Sequence, residues 1–399
     1  MKIRTALTPA LAAALVLPAA VLTAAPAADA RSCKAPTGIL RTPVDKTMSL
    51  PGGATVRIWD TGDRKRNIDE VRIVAVRIQR GSLIPRAVTA STLSKAATPK
   101  TQAAKANRAV VVVVNGGVFD PSGPSIPVRS QVLNGAVRKG TRAVDQGIAL
   151  YEKSRTAEWT LHKTVGTVST GAHGSREVGN VNWQSLPGDG VAVYTRAWGT
   201  SAHPAGNRTV VVKKGKVTKI LTSRKAGAKR PGSGETWLTA RNGSGTASWL
   251  QGLRVGEAVT VLTQQSGVLP FLDGRPGVGR PDSLVGVSSA MVRWGQNLAG
   301  CGSRDETLRP RSGLMWTANG DLIVAAVAGR PNAAAGGATA HQWGEYMKQL
   351  GAVHAVNLDG GTSTTLLVRT KVGGPLIRLD RSGGSFQRAV PDALTFQVP

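Results

Sequence analysis

The sequence predicts an α+β protein dominated by strands, and three observations predict it. Val71 to Ile78 reads as a two-sided strand, with Val71, Ile73, Ala75 and Arg77 on one face and Arg72, Val74, Val76 and Ile78 on the other. Five valines, Val110 to Val114, form an apolar run of the kind buried on both faces, ending at Asn115-Gly116-Gly117. Near the C-terminus the pattern becomes strand, helix, strand.

The elements follow in order. Thr55 to Ile84 reads as two strands around a charged turn. Ala87 to Ala109 is polar and alanine-rich, consistent with a helix or a loose connector. After the valine run come short strands at Ile148–Tyr151 and Val191–Tyr194, and a hairpin over Thr209–Leu221 that turns near Lys214-Gly215. Trp237 to Thr263 reads as strand, short helix, strand. Asp321–Ala328 is a further strand. Thr339 and Gln342 have the spacing of a capping box, in which each side chain satisfies the other residue's free backbone N–H. Trp343, Tyr346, Met347 and Leu350 then make a helical apolar stripe, and Gly351 ends it.

Three segments are expected. Residues 1–30 read as a signal peptide: a basic start at Lys2 and Arg4, an apolar stretch from Ala6 to Ala25, and Ala28-Asp29-Ala30 of the A-x-A form. Residues 31–104 form a strand-rich N-terminal segment, and residues 105–399 the main domain. No second apolar run of spanning length follows, so no membrane anchor is expected. The expected location is extracellular or at a bacterial cell wall. There, Cys33 and Cys301, the two cysteines of the chain, are expected to form a disulfide.

The formal net charge of the 399 residues is +28. Charge of this size bears on partners rather than fold. Outside a bacterial cell the available polyanions are phosphate-bearing wall polymers, acidic polysaccharides and DNA. Scarce aromatics and the lack of a recognised motif argue against specific nucleic-acid binding. Five scattered histidines and no ligand-spaced cluster point to no metal and no cofactor, with a calcium ion at Asp120 or Asp359 the alternative that no spacing supports. A G-x-S-x-G elbow and a G-K-[ST] phosphate loop are both absent.

The stretch "AVHAVNLDGGTSTTLLV", Ala352 to Val368, carries the chemistry. Strand alternation places Val353, Ala355, Asn357 and Asp359 on one side, and His354, Val356 and Leu358 on the other. An amide and an acid thus converge at the carboxyl end of a strand. Gly360-Gly361 permits a sharp turn and close approach of a ligand. The N–H groups from Gly360 through Thr362 to Ser363, with four adjacent hydroxyls, could line an anion cradle. The plainer alternative is a turn in which Asp359 caps its own backbone. Asn115-Gly116-Gly117 repeats the arrangement, with Asp120 on the next turn, and two strands ending this way suggest a shared crevice. Arg311 and Arg330 flank the Asp321–Ala328 strand, where a guanidinium fork could hold phosphate.

"NGGVFD" at 115–120, "LRPRSGLMWTANGDLIVAAVAGR" at 308–330 and "LGAVHAVNLDGGTSTTLLV" at 350–368 together resemble the phosphodiester glycosidase family. In order, from Asn115 to the closing "RAVPDALTFQV", the motifs span about three quarters of the chain beyond residue 30. Two positions depart from the family's usual pattern: Ala328 stands where Asp is common, and Thr362 where Gly or Ser is common. The resemblance implies cleavage of the anomeric C–O bond of a sugar-1-phosphodiester. Asp359 is then the expected catalytic carboxylate, with Asp120 second. Asn115 and Asn357 would hold sugar hydroxyls or orient the acid. Arg311 and the Gly360–Ser363 turn would bind phosphate, supported by Arg330. The competing reading is a non-catalytic wall- or polyanion-binding protein on the same fold, in which Ala328 marks lost activity.

Overall fold

The structure is a computed structural model that describes residues 43–61, 71–106, 108–201, 204, 208–221, 230–270, 280–300, 307–329, 336–380 and 386–399. The leading segment, Cys33, Cys301 and Arg330 lie outside these residues. Among the described residues no helix is long and apolar enough to cross a membrane.

The fold is α+β and strand-dominated, as expected. Two antiparallel sheets frame the site. The larger runs in the order Lys46–Ser49, Thr55–Thr61, Val71–Ile78, Leu322–Gly329, Arg311–Thr317, Ala352–Asn357, Ser289–Arg293, Gln296–Asn297. The smaller runs Ile377–Arg378, Leu366–Val368, Val110–Asn115, Asp392–Gln397, Ile84–Thr89. A third, eleven-stranded sheet is built mostly from residues 131–270 and includes the 15-residue strand Thr156–Thr170.

Side-chain alternation explains how the layers stack. Val74, Val76 and Ile78 share one core with Leu314, Val324, Val356, Val112, Val114 and Phe396, so the first two sheets pack face to face. Ile148, Trp159 and Val285 of the third sheet enter the same core. The opposite residues of the larger sheet, Ile73, Ala75, Met315, Ile323 and Ala355, meet the helix Ala340–Gln349 through Trp343, Tyr346 and Met347. On the outer face of the smaller sheet, Val113, Leu367 and Ala393 meet Ala103 of the helix Pro99–Ala106. The valine run is buried at every position because both of its faces are covered.

Several local signals act as the sequence indicates. Thr339 accepts from the Gln342 N–H at 3.1 Å, and the Gln342 side chain accepts from the Thr339 N–H at 3.0 Å. The hairpin over Thr209–Leu221 turns on Lys214 and Gly215, both at positive φ. The stretch 87–109 divides: its start continues the strand Ile84–Thr89, and the helix occupies Pro99–Ala106. Val71–Ile78 pairs with Leu322–Gly329, and Ile84–Thr89 pairs with Asp392–Gln397. The N-terminal segment therefore supplies strands to both framing sheets.

Candidate functional site

The two glycine-terminated strands meet, although they belong to different sheets. Asn115 is fully buried at the end of the valine strand. Its Nδ2 donates to the Asp359 carbonyl at 2.7 Å, and its Oδ1 accepts from the Thr365 N–H at 3.1 Å. The Ser312 hydroxyl, from the central strand of the larger sheet, lies 2.9 Å from Asn115 Oδ1 and 3.0 Å from the Asp359 carbonyl. The Asp359 N–H donates to the Gly116 carbonyl at 3.0 Å. One amide and one hydroxyl thus pin the backbone that carries Asp359. The role of Asn115 here is to hold the acid's main chain.

Asp359 lies just beyond the strand Ala352–Asn357 and is half-buried. Its Oδ1 accepts from the Gly360 N–H at 3.0 Å. Burial raises its carboxyl above the ordinary range, against the opposing pull of Ser363, the Gly360 N–H, Arg388 and Arg309. The Ser363 hydroxyl is buried and makes no full hydrogen bond. Asn357 sits two residues earlier, opposite Gly313 in the sheet, and its Oδ1 is buried with no hydrogen-bond partner. An unpaired buried carbonyl oxygen is costly, so Asn357 offers an acceptor to water or ligand.

The turn after Asp359 does not present a row of free donors. Gly361 N–H donates to the Pro310 carbonyl at 2.8 Å and Ser363 N–H to the Gly360 carbonyl at 3.3 Å, while the Gly360 N–H serves Asp359 itself. Gly361 has φ +61°, in the left-handed region that favours glycine, where the chain enters the short turn Gly361–Ser363. The self-capping turn weighed above as the plainer alternative is therefore present. Thr362 is exposed, and its hydroxyl accepts from Arg388 Nη1 at 2.9 Å.

Cationic groups redistribute likewise. Arg311 is buried, with Nε donating to the Ala338 carbonyl at 2.7 Å and Nη2 to the Thr307 carbonyl at 3.3 Å, so it braces the loop entering its strand. Arg388 instead stands at the mouth: it bonds Thr362, lies 5.4 Å from the Phe119 ring centre and acts on Asp359. Arg309, exposed, acts on Asp359 as well. Nothing in "FQRAVPD" marks Arg388 among so many arginines; only its spatial neighbours do.

Asp120 is engaged locally. It is exposed, and its Oδ1 accepts from the Ser122 N–H at 2.9 Å and the Ser122 hydroxyl at 2.6 Å, which lowers its pKa and makes it a turn cap. A second acid near Asp359 is Asp392, which no motif marks in the sequence. Asp392 is buried on the strand beside Asn115. Its Oδ1 accepts from the Gly117 N–H at 2.9 Å, its Oδ2 from Gln131 Nε2 at 2.7 Å, and its carbonyl from the Gly116 N–H at 3.0 Å. The glycines are demanded by this packing: a Cβ on Gly116 would overlap Asp392, and one on Gly117 would overlap the Gly286 carbonyl. Burial, and next the charge of Asp359, push the Asp392 carboxyl up to about 6, although Gln131, the Gly117 N–H and Arg138 pull it down. Ala328 is fully buried and adds no acid. Among the described residues, no three His, Cys, Asp or Glu side chains are grouped to hold a metal.

Fold and site together bring one half-buried acid and a second, fully buried acid to the join of two sheets, with Arg388 and Arg309 acting on the first and Arg138 on the second. Residues 207–397 match the phosphodiester glycosidase family model, just under half of the chain, and over that stretch the resemblance seen in the motifs is borne out. The match takes in Asp359, Asp392, Ser312, Arg309 and Arg388, but begins after the Asn115 element. A hypothetical protein from Synechocystis has a similar structure, with TM-score 0.69 and 22% identity over 90% of this chain. This chain spans 64% of that protein's length. A Burkholderia pseudomallei protein, named as a candidate exported protein, gives TM-score 0.60 and 20% identity, covering 83% of this chain and 74% of its own. The zebrafish N-acetylglucosamine-1-phosphodiester alpha-N-acetylglucosaminidase catalytic domain, auto-inhibited by its pro-peptide, aligns at TM-score 0.41 and 12% identity, covering 90% of this chain and 89% of its own. No curated protein sequence matches the chain.

Proposed function

We propose that the protein is a secreted phosphodiester glycosidase that hydrolyses the anomeric C–O bond of a sugar-1-phosphodiester in a phosphate-bearing glycan, such as a wall polymer. The observation that supports this reading best is Asp359 itself. It is a half-buried acid pinned by Asn115 and Ser312, with its basicity raised by burial and two arginines beside it.

The chemistry suits those groups. Water adds its oxygen to the anomeric carbon, the C–O bond to phosphate breaks, and a phosphomonoester leaves with the bonding pair. That leaving group has a second pKa near about 6 and so needs little general-acid help. It needs its charge neutralised, a role for Arg388 and Arg309. Asp359 serves the oxocarbenium-like centre as nucleophile or as base for water. Asn357 Oδ1 is an acceptor for a sugar hydroxyl. The net charge of +28 draws a polyanionic glycan toward the crevice.

Turnover of a synthetic N-acetylglucosamine-1-phosphodiester, measured for wild type, Asp359→Asn and Arg388→Ala, tests the reading. Sugar release by wild type, a loss of at least about a thousandfold in Asp359→Asn and a raised KM in Arg388→Ala are expected. Equal release by Asp359→Asn would remove that carboxylate from the mechanism. No release from a panel of sugar phosphodiesters, with wall polymer still bound, would favour the binding-protein reading that Ala328 suggests.

A further inference from the structure

Asp392 is too deeply buried to touch a ligand at the mouth, yet it is wired to the residue that would. The turn Asn115-Gly116-Gly117 is clamped between the two acids. Gly116 donates to the Asp392 carbonyl and accepts from the Asp359 N–H, while Gly117 donates to the Asp392 carboxylate. Gln131, reaching in from the third sheet, is the informative neighbour. Its Nε2 donates to Asp392 Oδ2 at 2.7 Å, but its Oε1 is buried with no hydrogen-bond partner.

Beside a carboxyl group, this unsatisfied acceptor has a use that the other buried amides without partners lack. A half-turn of the terminal torsion exchanges the oxygen and nitrogen of a Gln amide. After that turn, Oε1 would accept a proton carried by Asp392. The same amide then serves both states, donating to the ionised acid and accepting from the neutral one. The other groups acting on this acid are Asp359, which favours its neutral form, and Arg138, which favours its charge. Arg138 is itself occupied with the Thr89 hydroxyl and the Ser91 carbonyl.

We propose that Asp392 and Gln131 form a buried proton switch that sets the charge beneath the Asp359 site, and thereby its affinity for an anionic, phosphate-bearing ligand. The proposal rests on the anion-binding reading given above. With Asp392 neutral, the arginines that act on Asp359, Arg388 and Arg309, are opposed by one buried negative charge fewer. When Asp392 ionises, a second negative charge in a poorly polarisable interior opposes the ligand. That ionisation falls near pH 6, within the range an extracellular protein meets. Asp392 is a positioning residue on this account.

Two measurements test it. The first is binding of dimethyl phosphate, followed by NMR at acidic and at mildly alkaline pH; this probe keeps one charge throughout. Wild-type affinity is expected to weaken about tenfold as pH rises, the effect of one charge on the order of 10 Å away at an effective dielectric of about 20. Asp392→Asn, which mimics the neutral acid and can donate to Gln131 Oε1, should change less than about twofold. Parallel pH dependence in both proteins would overturn the proposal.

The second is the infrared carboxylic-acid band of the unliganded wild type. The part of it that Asp392→Asn removes should be present at about pH 5 and lost by about pH 7.5. A wild type with no such band at the acidic pH overturns the switch even if sugar phosphodiesters are turned over. A band that titrates without dimethyl phosphate binding at any pH overturns the gating and the anion site together.

Discussion

Replacing Asn115 by Ala tests whether the join between the two strand ends is as tight as the hydrogen bonds indicate. The amide makes three close contacts, 2.7 Å to the Asp359 carbonyl, 2.9 Å to the Ser312 hydroxyl and 3.1 Å to the Thr365 N–H, besides a long one of 3.5 Å to the Gly116 carbonyl. Removing it does not orphan all three partners. The Ser312 hydroxyl, already 3.0 Å from the Asp359 carbonyl, can give its proton there and satisfy both groups. The Thr365 N–H has no such recourse in a dry interior. Its desolvation costs about 1–3 kcal/mol, and the other lost bonds and the small void add about 1–2 kcal/mol, so a loss of about 3 kcal/mol is expected. Urea unfolding at neutral pH measures it, as a shift in midpoint at unchanged slope. Ser312→Ala, which leaves Asn115 bonded to Asp359 and Thr365, should cost about 1 kcal/mol. A loss below about 1 kcal/mol for Asn115→Ala, or equal losses for the two variants, would refute the assignment of Thr365 as the stranded group.

Other outcomes follow from the same geometry. Asp392 has its folded pKa raised to about 6, so the native state binds more protons than the unfolded chain between about pH 4 and pH 6. Asp392 should therefore remove up to about 3 kcal/mol of stability across that window, read as the difference between the pH profiles of wild type and Asp392→Asn in denaturation. Gly117→Ala places a Cβ against the Gly286 carbonyl, and a loss of about 2 kcal/mol or more in thermal or urea unfolding is expected. Arg311→Ala takes one of the two donors from the Ala338 carbonyl, which keeps the Arg309 N–H at 3.3 Å, and empties a buried site, so it should cost about 2 kcal/mol or more in stability. Arg388→Ala, at the mouth, should leave stability within about 1 kcal/mol while weakening dimethyl phosphate binding; equal destabilisation by both would sink the distinction drawn between them.

Local order was legible in the chain because it depends on near neighbours. The period-two alternation of Val71–Ile78 separates a helix-facing set from a sheet-facing set, and the structure divides them in that way. The five valines need cover on both sides and receive it from a sheet and a helix. The box at Thr339 and Gln342 and the glycine at 351, with φ +98°, bound the helix Ala340–Gln349 at the residues that the pattern marks. Asp359, at a strand end before two glycines, was visible as a candidate for the same reason.

Partnership between distant residues was not legible, and the site is made of it. The strand Asp392–Gln397 lies between Val110–Asn115 and Ile84–Thr89, and this pairing is what sets Asp392 under Gly116-Gly117. No residue near Asp392 in the chain announces a carboxylate with a raised pKa, because Gln131, Gly117 and Asp359 supply its surroundings from elsewhere. The arginines show the same limit: Arg311 and Arg388 look alike in sequence, and only packing buries one as a brace and leaves the other beside Thr362. The sequence alone marked several strands, the faces of Val71–Ile78 and Asp359 as a candidate acid. The tertiary structure decided which second acid and which arginines stand beside it, since hydrogen bonding between sheets and exclusion of water are properties of the folded whole.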